Sequence, residues 1–411
     1  MPLTKIEKVL SRELDELRGK GTLKGEETVV TGVKEAQGGK GPRYFIEGYA
    51  DREFLRMNSN SYLGMGLMRE VIEAEEKAAR EFGAGPGAVR FISGTYEPHK
   101  ELEKSLARFH NRQAGMIFSS AYATVMGALS PLISQDTIVI TDALNHNSII
   151  NAVRLARPKD KKIYTHNDTT QLERAVKDCI RDCNRVVIVT DGIFSMRGDC
   201  APLVGIADVA QKYDPEFEEG IFTVVDDSHG VGAIGETGRG TTEFTHESRV
   251  DILISTLGKA LGVNGGYLVS DAEVVDYLRE TAPFYIYSNP ITVSEAIAAL
   301  KALEILDSEV GRKMLKYLRE MTGYFRKGLV DLGYEVVSGD HPVVPLMVRD
   351  TRKTVQLVKY LKDNGVLSTG IYYPVVPKGD EEIRFQISAQ HTKYDIDYAL
   401  RILKEYKERY L

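Results

Sequence analysis

Between residues 114 and 254 the chain alternates short apolar runs with amphipathic stretches of helical length; the runs lie at 115–118, 137–140, 185–190, 221–225 and 251–254. None of them alternates apolar with polar positions, so each predicts a strand buried on both faces, in a mostly parallel sheet covered by helices on both sides. In such a sheet, binding groups gather on loops beyond the carboxyl ends of the strands. Residues 1–18 predict an amphipathic helix packed on another part of the protein, ended by the breakers Gly19, Gly21 and Gly25. After Pro290 a helical region at 292–331 leads to strands near 334–337, 343–348 and 383–387, with helices near 352–364 and 393–408. The pattern predicts an α/β fold in three parts: a helical lead-in over 1–55, a large domain with the parallel sheet over 56–290, and a small α+β domain over 291–411. No internal repeat or low-complexity segment interrupts it.

Composition narrows the partners. The 411 residues exceed one typical domain, and a hydrophobic content of 43% suffices for a large core. With 53 basic against 59 acidic residues and a formal charge of -6, the chain has no basic block of the kind a nucleic-acid binder needs. It has no apolar run of the roughly 18 residues that a membrane helix requires, and it opens on Lys and Glu at helical spacing, so a cytoplasmic protein without a membrane partner is expected. Cys179, Cys183 and Cys200 are too few for a disulfide framework. Cys179 and Cys183 lie four apart, but no further ligand follows at finger-like spacing, so no metal is expected.

Two segments about thirty residues apart carry the chemistry. One is Val225-Asp226-Asp227-Ser228-His229-Gly230, a buried strand ending in a carboxylate; the other is Ser255-Thr256-Leu257-Gly258-Lys259-Ala260-Leu261-Gly262, a lysine on a Gly-flanked loop after a strand. Alone, such a lysine reads as a solvated loop residue and such an aspartate as a helix cap. Their order gives them a joint meaning. A lysine amine condenses with an aldehyde, and a fixed carboxylate keeps a pyridinium nitrogen protonated, which is the minimal pair for pyridoxal 5'-phosphate (PLP). His146 opens a helix after the 137–140 strand, where its imidazole would lie on the pyridine ring. Ser195, after the 185–190 strand, and His229 would reach the phenolic oxygen. The run Ser119-Ser120-Ala121-Tyr122-Ala123-Thr124 offers backbone donors and hydroxyls for a phosphate at a helix start, and Thr256 adds another hydroxyl.

These segments, together with Asn58-Ser59-Asn60-Ser61-Tyr62-Leu63-Gly64, Gly87-Ala88-Val89-Arg90-Phe91-Ile92-Ser93-Gly94-Thr95, Tyr373-Pro374-Val375-Val376-Pro377-Lys378-Gly379 and the stretch from Arg384 to Thr392, resemble the α-oxoamine synthase family of PLP enzymes over nearly the whole chain. The resemblance implies that Lys259 bonds covalently to the cofactor aldehyde, Asp226 pairs with the ring nitrogen and His146 stacks on the ring. Ser195 and His229 would hold the phenolic oxygen. Ser120, Ala121, Tyr122 and Thr256 would hold the phosphate, with Ser288 reaching it from a neighbouring subunit, which makes the enzyme a homodimer. Arg384 would clamp the amino-acid carboxylate, with Asn60 and Arg90 also at the substrate. Within the family, Arg90 to Thr95, with Phe91 where some alanine-using synthases have His, and Tyr373 to Gly379 point to the glycine C-acetyltransferase type, which condenses glycine with acetyl-CoA and supports threonine breakdown in reverse. The alternatives are the alanine-using biotin-pathway type, taking a longer acyl-CoA, and a non-catalytic partner subunit. The chain departs from the family pattern at Arg197, where Asp is usual, and at Val125, where Asn is common. Pro86 stiffens the loop before Arg90.

Overall fold

The computed structural model describes residues 3–20, 23, 27–373 and 375–410; Gly21, Gly25 and Pro374 lie outside them. After the helix Thr4–Gly19 come an antiparallel hairpin, β1 (Val30–Lys34) and β2 (Arg43–Ile46), and the short β3 (Leu55–Arg56). The central sheet comprises β4 (Ala114–Phe118), β5 (Thr137–Asp142), β6 (Asp160–Tyr164), β7 (Arg185–Asp191), β8 (Ile221–Asp226), β9 (Ile252–Thr256) and β10 (Gly266–Ser270), in the spatial order β4-β10-β9-β8-β7-β5-β6. Strands β9, β8, β7, β5 and β6 pair in parallel, and β10 is antiparallel to both its neighbours.

The unbroken apolar runs have a direct structural cause. Ile138, Ile140, Val186, Ile188, Val225 and Leu253 face one hydrophobic cluster, while Val139, Val187, Val189, Val224, Ile252 and Ile254 face a second on the opposite side of the sheet. Successive strand residues point to opposite faces, so a sheet with two dry faces needs apolar residues at every position. Two strands were missed in the sequence. The edge strand β6, Asp-Lys-Lys-Ile-Tyr, is largely exposed, and β10, within the glycine-rich stretch after Lys259, has a run of its own, Tyr267-Leu268-Val269, with both faces buried.

A second sheet, in the order β11-β14-β13, is built antiparallel from β11 (Val343–Met347), β13 (Thr369–Ile371) and β14 (Glu382–Gln386), while β12 (Val366–Leu367) pairs in parallel with β3. The helices Glu309–Asp331, Thr351–Asp363 and Lys393–Tyr410 pack around it. The expected strand at 334–337 is reduced to a bridge, Val336 to Leu346. Val337 N–H donates to the Pro345 carbonyl, but Pro345 has no N–H to return, so the ladder stops. The helical region at 292–331 is two helices, Val293–Leu306 and Glu309–Asp331, separated where the Ser308 hydroxyl caps the second by accepting from Val310 N and Gly311 N at 3.1 and 3.4 Å. Among the described residues the first helix buries none of its own, and Ile6, Leu10 and Leu14 stay exposed on its apolar face.

Candidate active site

Three parallel strands end in aspartate: β5 at Asp142, β7 at Asp191 and β8 at Asp226. Asp191 and Asp226 are paired in register on adjacent strands, so two carboxyl groups stand side by side at the sheet's carboxyl edge. Burial, and then the charge of Asp226, push the Asp191 carboxyl well above the usual carboxylate range. Asp191 Oδ2 accepts the His146 N–H at 2.7 Å, which fixes the start of the helix Asn147–Ala156 that His146 caps. The imidazole is anchored through Nδ1 to Ser148 Oγ at 2.7 Å. Loss of water lowers its pKa, Asp226 opposes this, and Lys259 lowers it further. Asp226 Oδ1 accepts Ser228 N–H at 3.1 Å.

Lys259 sits on the turn between β9 and β10, held by Leu257 N–H to Gly265 O and Val263 N–H to Leu257 O, both 3.0 Å. The turn is jammed backbone to backbone against residues 65–66. A Cβ on Gly262, whose φ is +70°, would lie 2.2 Å from Gly66 N, and one on Gly66 would lie 2.8 Å from Gly262 O. Desolvation brings the Lys259 amine down to about 8, against the pull of Asp226 and Asp191. On the other side of the cleft, Tyr62 OH lies 2.7 Å from His229 Nδ1 and 3.3 Å from Asn60 Oδ1. The hydroxyl donates to Asn60 Oδ1 and so joins Asn60 and His229 in one hydrogen-bonded chain. Burial and the nearby cations hold His229 well below the usual histidine range, and its carbonyl accepts from His341 Nε2 at 2.7 Å.

The structure brings Ala121, Tyr122, His146, Ser195, Asp226, His229 and Lys259 around one cavity, together with Ser148, Asp191 and Ser228, to which the sequence analysis gave no role. Asp191 carried a signal, since it ends its strand as Asp226 does. Ser120 caps the helix Ala121–Leu132 at this cavity, its hydroxyl accepting Ala123 N–H at 3.1 Å. Thr256 Oγ1 lies under the lysine turn, donating to Gly265 O at 3.2 Å and accepting from Gly258 N–H at 3.0 Å. Arg384 donates through Nη2 to Asn60 Oδ1 at 3.2 Å and lies close enough to Lys259 and His229 to depress both. Two expected residues lie elsewhere. Arg90 is buried in an ion pair with Glu103 at 3.1 Å, which Glu103 shares with Arg279 at 2.8 Å. Ser288 is half-buried, its hydroxyl donating to its neighbour Asn289 O at 3.4 Å.

The cavity fits PLP on its own chemistry. It offers a weakly basic amine for an aldehyde, a carboxyl pair for a ring nitrogen, an imidazole, a neutral His229, and the first turn of a twelve-residue helix for a phosphate. Ser228 Oγ, buried in the cavity wall, has no hydrogen-bond partner among the described residues, as expected of a group that completes its bonding with a ligand.

Residues 52–403 match the family model described as aminotransferase class I and II. The chain is 40% identical to the 8-amino-7-oxononanoate synthase of Bacillus pumilus, over 86% of this chain and 88% of that one, and 36% identical to that of Thermosipho melanesiensis, over 95% of each. Among solved structures it resembles an SPT with PLP at 24% identity and the serine palmitoyltransferase of Sphingomonas wittichii at 25%. Both have a TM-score of 0.87 and cover 99% of this chain and 98% of theirs. The relatives' names overturn the expected glycine C-acetyltransferase activity, and with it glycine, acetyl-CoA and threonine breakdown. Phe91, on which that choice leaned, is 64% exposed, and Tyr373 is 47% exposed; neither lines the cavity around Lys259 in its own chain.

Proposed function

Because this chain belongs to the class I and II aminotransferase family, in its PLP-dependent α-oxoamine synthase branch, we propose that it joins alanine to a long acyl-CoA in a reaction of the 8-amino-7-oxononanoate synthase type. The similarity to synthases of that name over nearly their full length carries this reading. By carbon count, alanine supplies the amino carbon and terminal methyl of such a product, and its own carboxyl group leaves as carbon dioxide.

When bound, PLP supplies a protonated pyridine ring that spreads the electron pair left on the amino acid's α-carbon. Lys259 would hold it covalently, Asp226 would keep its ring nitrogen protonated, and His146 would lie over the ring. Ser195 and His229 would take the phenolic oxygen, and Ser120, Ala121, Tyr122 and Thr256 the phosphate. Arg384 orients alanine through its carboxylate, a task suited to a planar guanidinium fork. The Lys259 amine, with its pKa brought down to about 8, removes a proton at the α-carbon near neutral pH. His146 donates to the oxygen that gains charge when the thioester carbonyl is attacked. A homodimer completes the site. Ser288 is absent from the walls of its own chain's cavity, and the first helix presents an apolar face that a second copy would cover.

The test is a matrix of alanine and glycine against acetyl-CoA and longer acyl-CoA thioesters. Turnover of alanine with a long acyl chain is expected, and a clear preference for glycine with acetyl-CoA would defeat the proposal.

A further inference from the structure

One wall beside the lysine carries more polar groups than it satisfies. Along β14, Ile383 and Phe385 enter the hydrophobic core, while the alternate residues Glu382, Arg384 and Gln386 share the opposite face and are buried too, at 3%, 8% and 2% exposure. Each leaves a buried atom without a hydrogen bond among the described residues: Glu382 Oε1, Arg384 Nε and Gln386 Oε1. Buried polar atoms in native proteins are nearly always paired, so three in a row on one strand face mark a surface built for a polar ligand. Asn60 Oδ1 accepts from Arg384 Nη2 at 3.2 Å and Gln386 Nε2 at 2.9 Å, and so ties that end of the row to Tyr62 and His229. Glu382 lies one strand repeat farther out, about 7 Å along the backbone. Burial pushes its carboxyl up to about 7, opposed by Arg384 and Arg197.

Arg197 follows the cavity residue Ser195 by two positions. Its Nε donates to Asp199 Oδ2 at 3.2 Å, its side chain is 44% exposed, and among the described residues its two terminal nitrogens have no partner.

We propose that Arg197 and Glu382 form a second carboxylate subsite, which receives the far end of the acyl chain. The inference rests on the proposed function and deepens it. The name 8-amino-7-oxononanoate describes a nine-carbon acid with its carboxylate at one end and its keto group at carbon 7. Carbon 7 is the former thioester carbon, so the donor is a seven-carbon chain with a free carboxylate at its other end. Its six carbon–carbon bonds, each about 1.5 Å, span roughly 7 to 8 Å, the scale of the step from Arg384 to Glu382. Arg197 supplies the charge for that carboxylate, and Glu382, which burial shifts toward its protonated form, supplies an O–H donor when it carries the proton, a pairing stronger than one between neutral groups.

The experiment gives the holoenzyme alanine and two CoA thioesters, the seven-carbon donor with a free carboxylate and its methyl ester, and reads the ratio of the two kcat/KM values. Wild type is expected to favour the free carboxylate by about tenfold or more. Arg197→Gln should bring the ratio close to one, and Arg197→Lys and Glu382→Gln, which keep a cation and a donor, should retain most of it. A wild type that does not discriminate, or an Arg197→Gln variant that discriminates as well as wild type, overturns the subsite while leaving the reaction standing. A wild type that turns over neither thioester sinks the proposed function, and the subsite with it.

Discussion

The Lys259 amine is a better nucleophile near neutral pH than an ordinary lysine because its surroundings desolvate its charged form, bringing it down to about 8. Only the free base attacks an aldehyde. The rate at which apoprotein takes up PLP should therefore climb with pH through about 8 and level off above it; an inflection near 10.5 would show an unperturbed amine. Borohydride reduction of the loaded protein should place the label on Lys259, and Lys259→Ala should fold yet lose activity by about 10² to 10⁴ or more. Arg384→Ala removes a charged hydrogen-bonding group worth about 2 kcal/mol, so the KM for alanine should rise about thirtyfold while that for the acyl-CoA changes little; equal effects on both would remove Arg384 from the carboxylate. Asp226, His146 and Ser195 stood out in the sequence as candidates because each ends or follows a strand whose apolar run could be read. Arg90 could not be placed that way, because a buried arginine in an ion pair and a substrate-facing one look alike until Glu103 and Arg279 are seen around it. Nor could the sequence alone separate glycine from alanine.

At the scale of single elements, the boundary between Val293–Leu306 and Glu309–Asp331 hangs on one hydroxyl. Ser308→Ala strips the cap from Val310 N and Gly311 N and should cost about 1 kcal/mol, read as a lower urea midpoint with an unchanged slope. In the sequence these helices read as one, because apolar residues at helical spacing continue on both sides of Asp307–Ser308. The strands of the central sheet were legible where two dry faces demand apolar residues at every position. The pattern was absent where one face meets solvent, as in β6, and was passed over in β10, whose short run Tyr267-Leu268-Val269 follows directly on glycines.

Across the whole molecule, the lead-in segment is fastened to the carboxyl-terminal part of the chain. β3 pairs with β12, and Arg43 Nη2 meets Asp395 Oδ1 at 2.5 Å with both side chains buried. Burial works against the Asp395 charge, but Thr392 N–H and Arg43 hold its carboxyl below the usual range. This contribution is present above the unfolded pKa, near 4, and fades as pH falls through the lower folded value. Arg43→Ala strands the carboxylate and should cost about 3 to 5 kcal/mol at neutral pH, with a smaller difference from wild type in strong acid, measured by denaturant unfolding. No pattern in the sequence announced the contact, since a two-residue strand has no period and the ion-pair partners lie 352 residues apart. Another long-range fastening bears on genetics. Gly66 and Gly262 touch main chain to main chain where the lysine's turn meets residues 65–66, and neither carries a functional group. A methyl added to either would have to push that turn away from residues 65–66, so a screen for inactive but soluble clones should recover alanine at both positions as readily as changes to the chemical groups themselves.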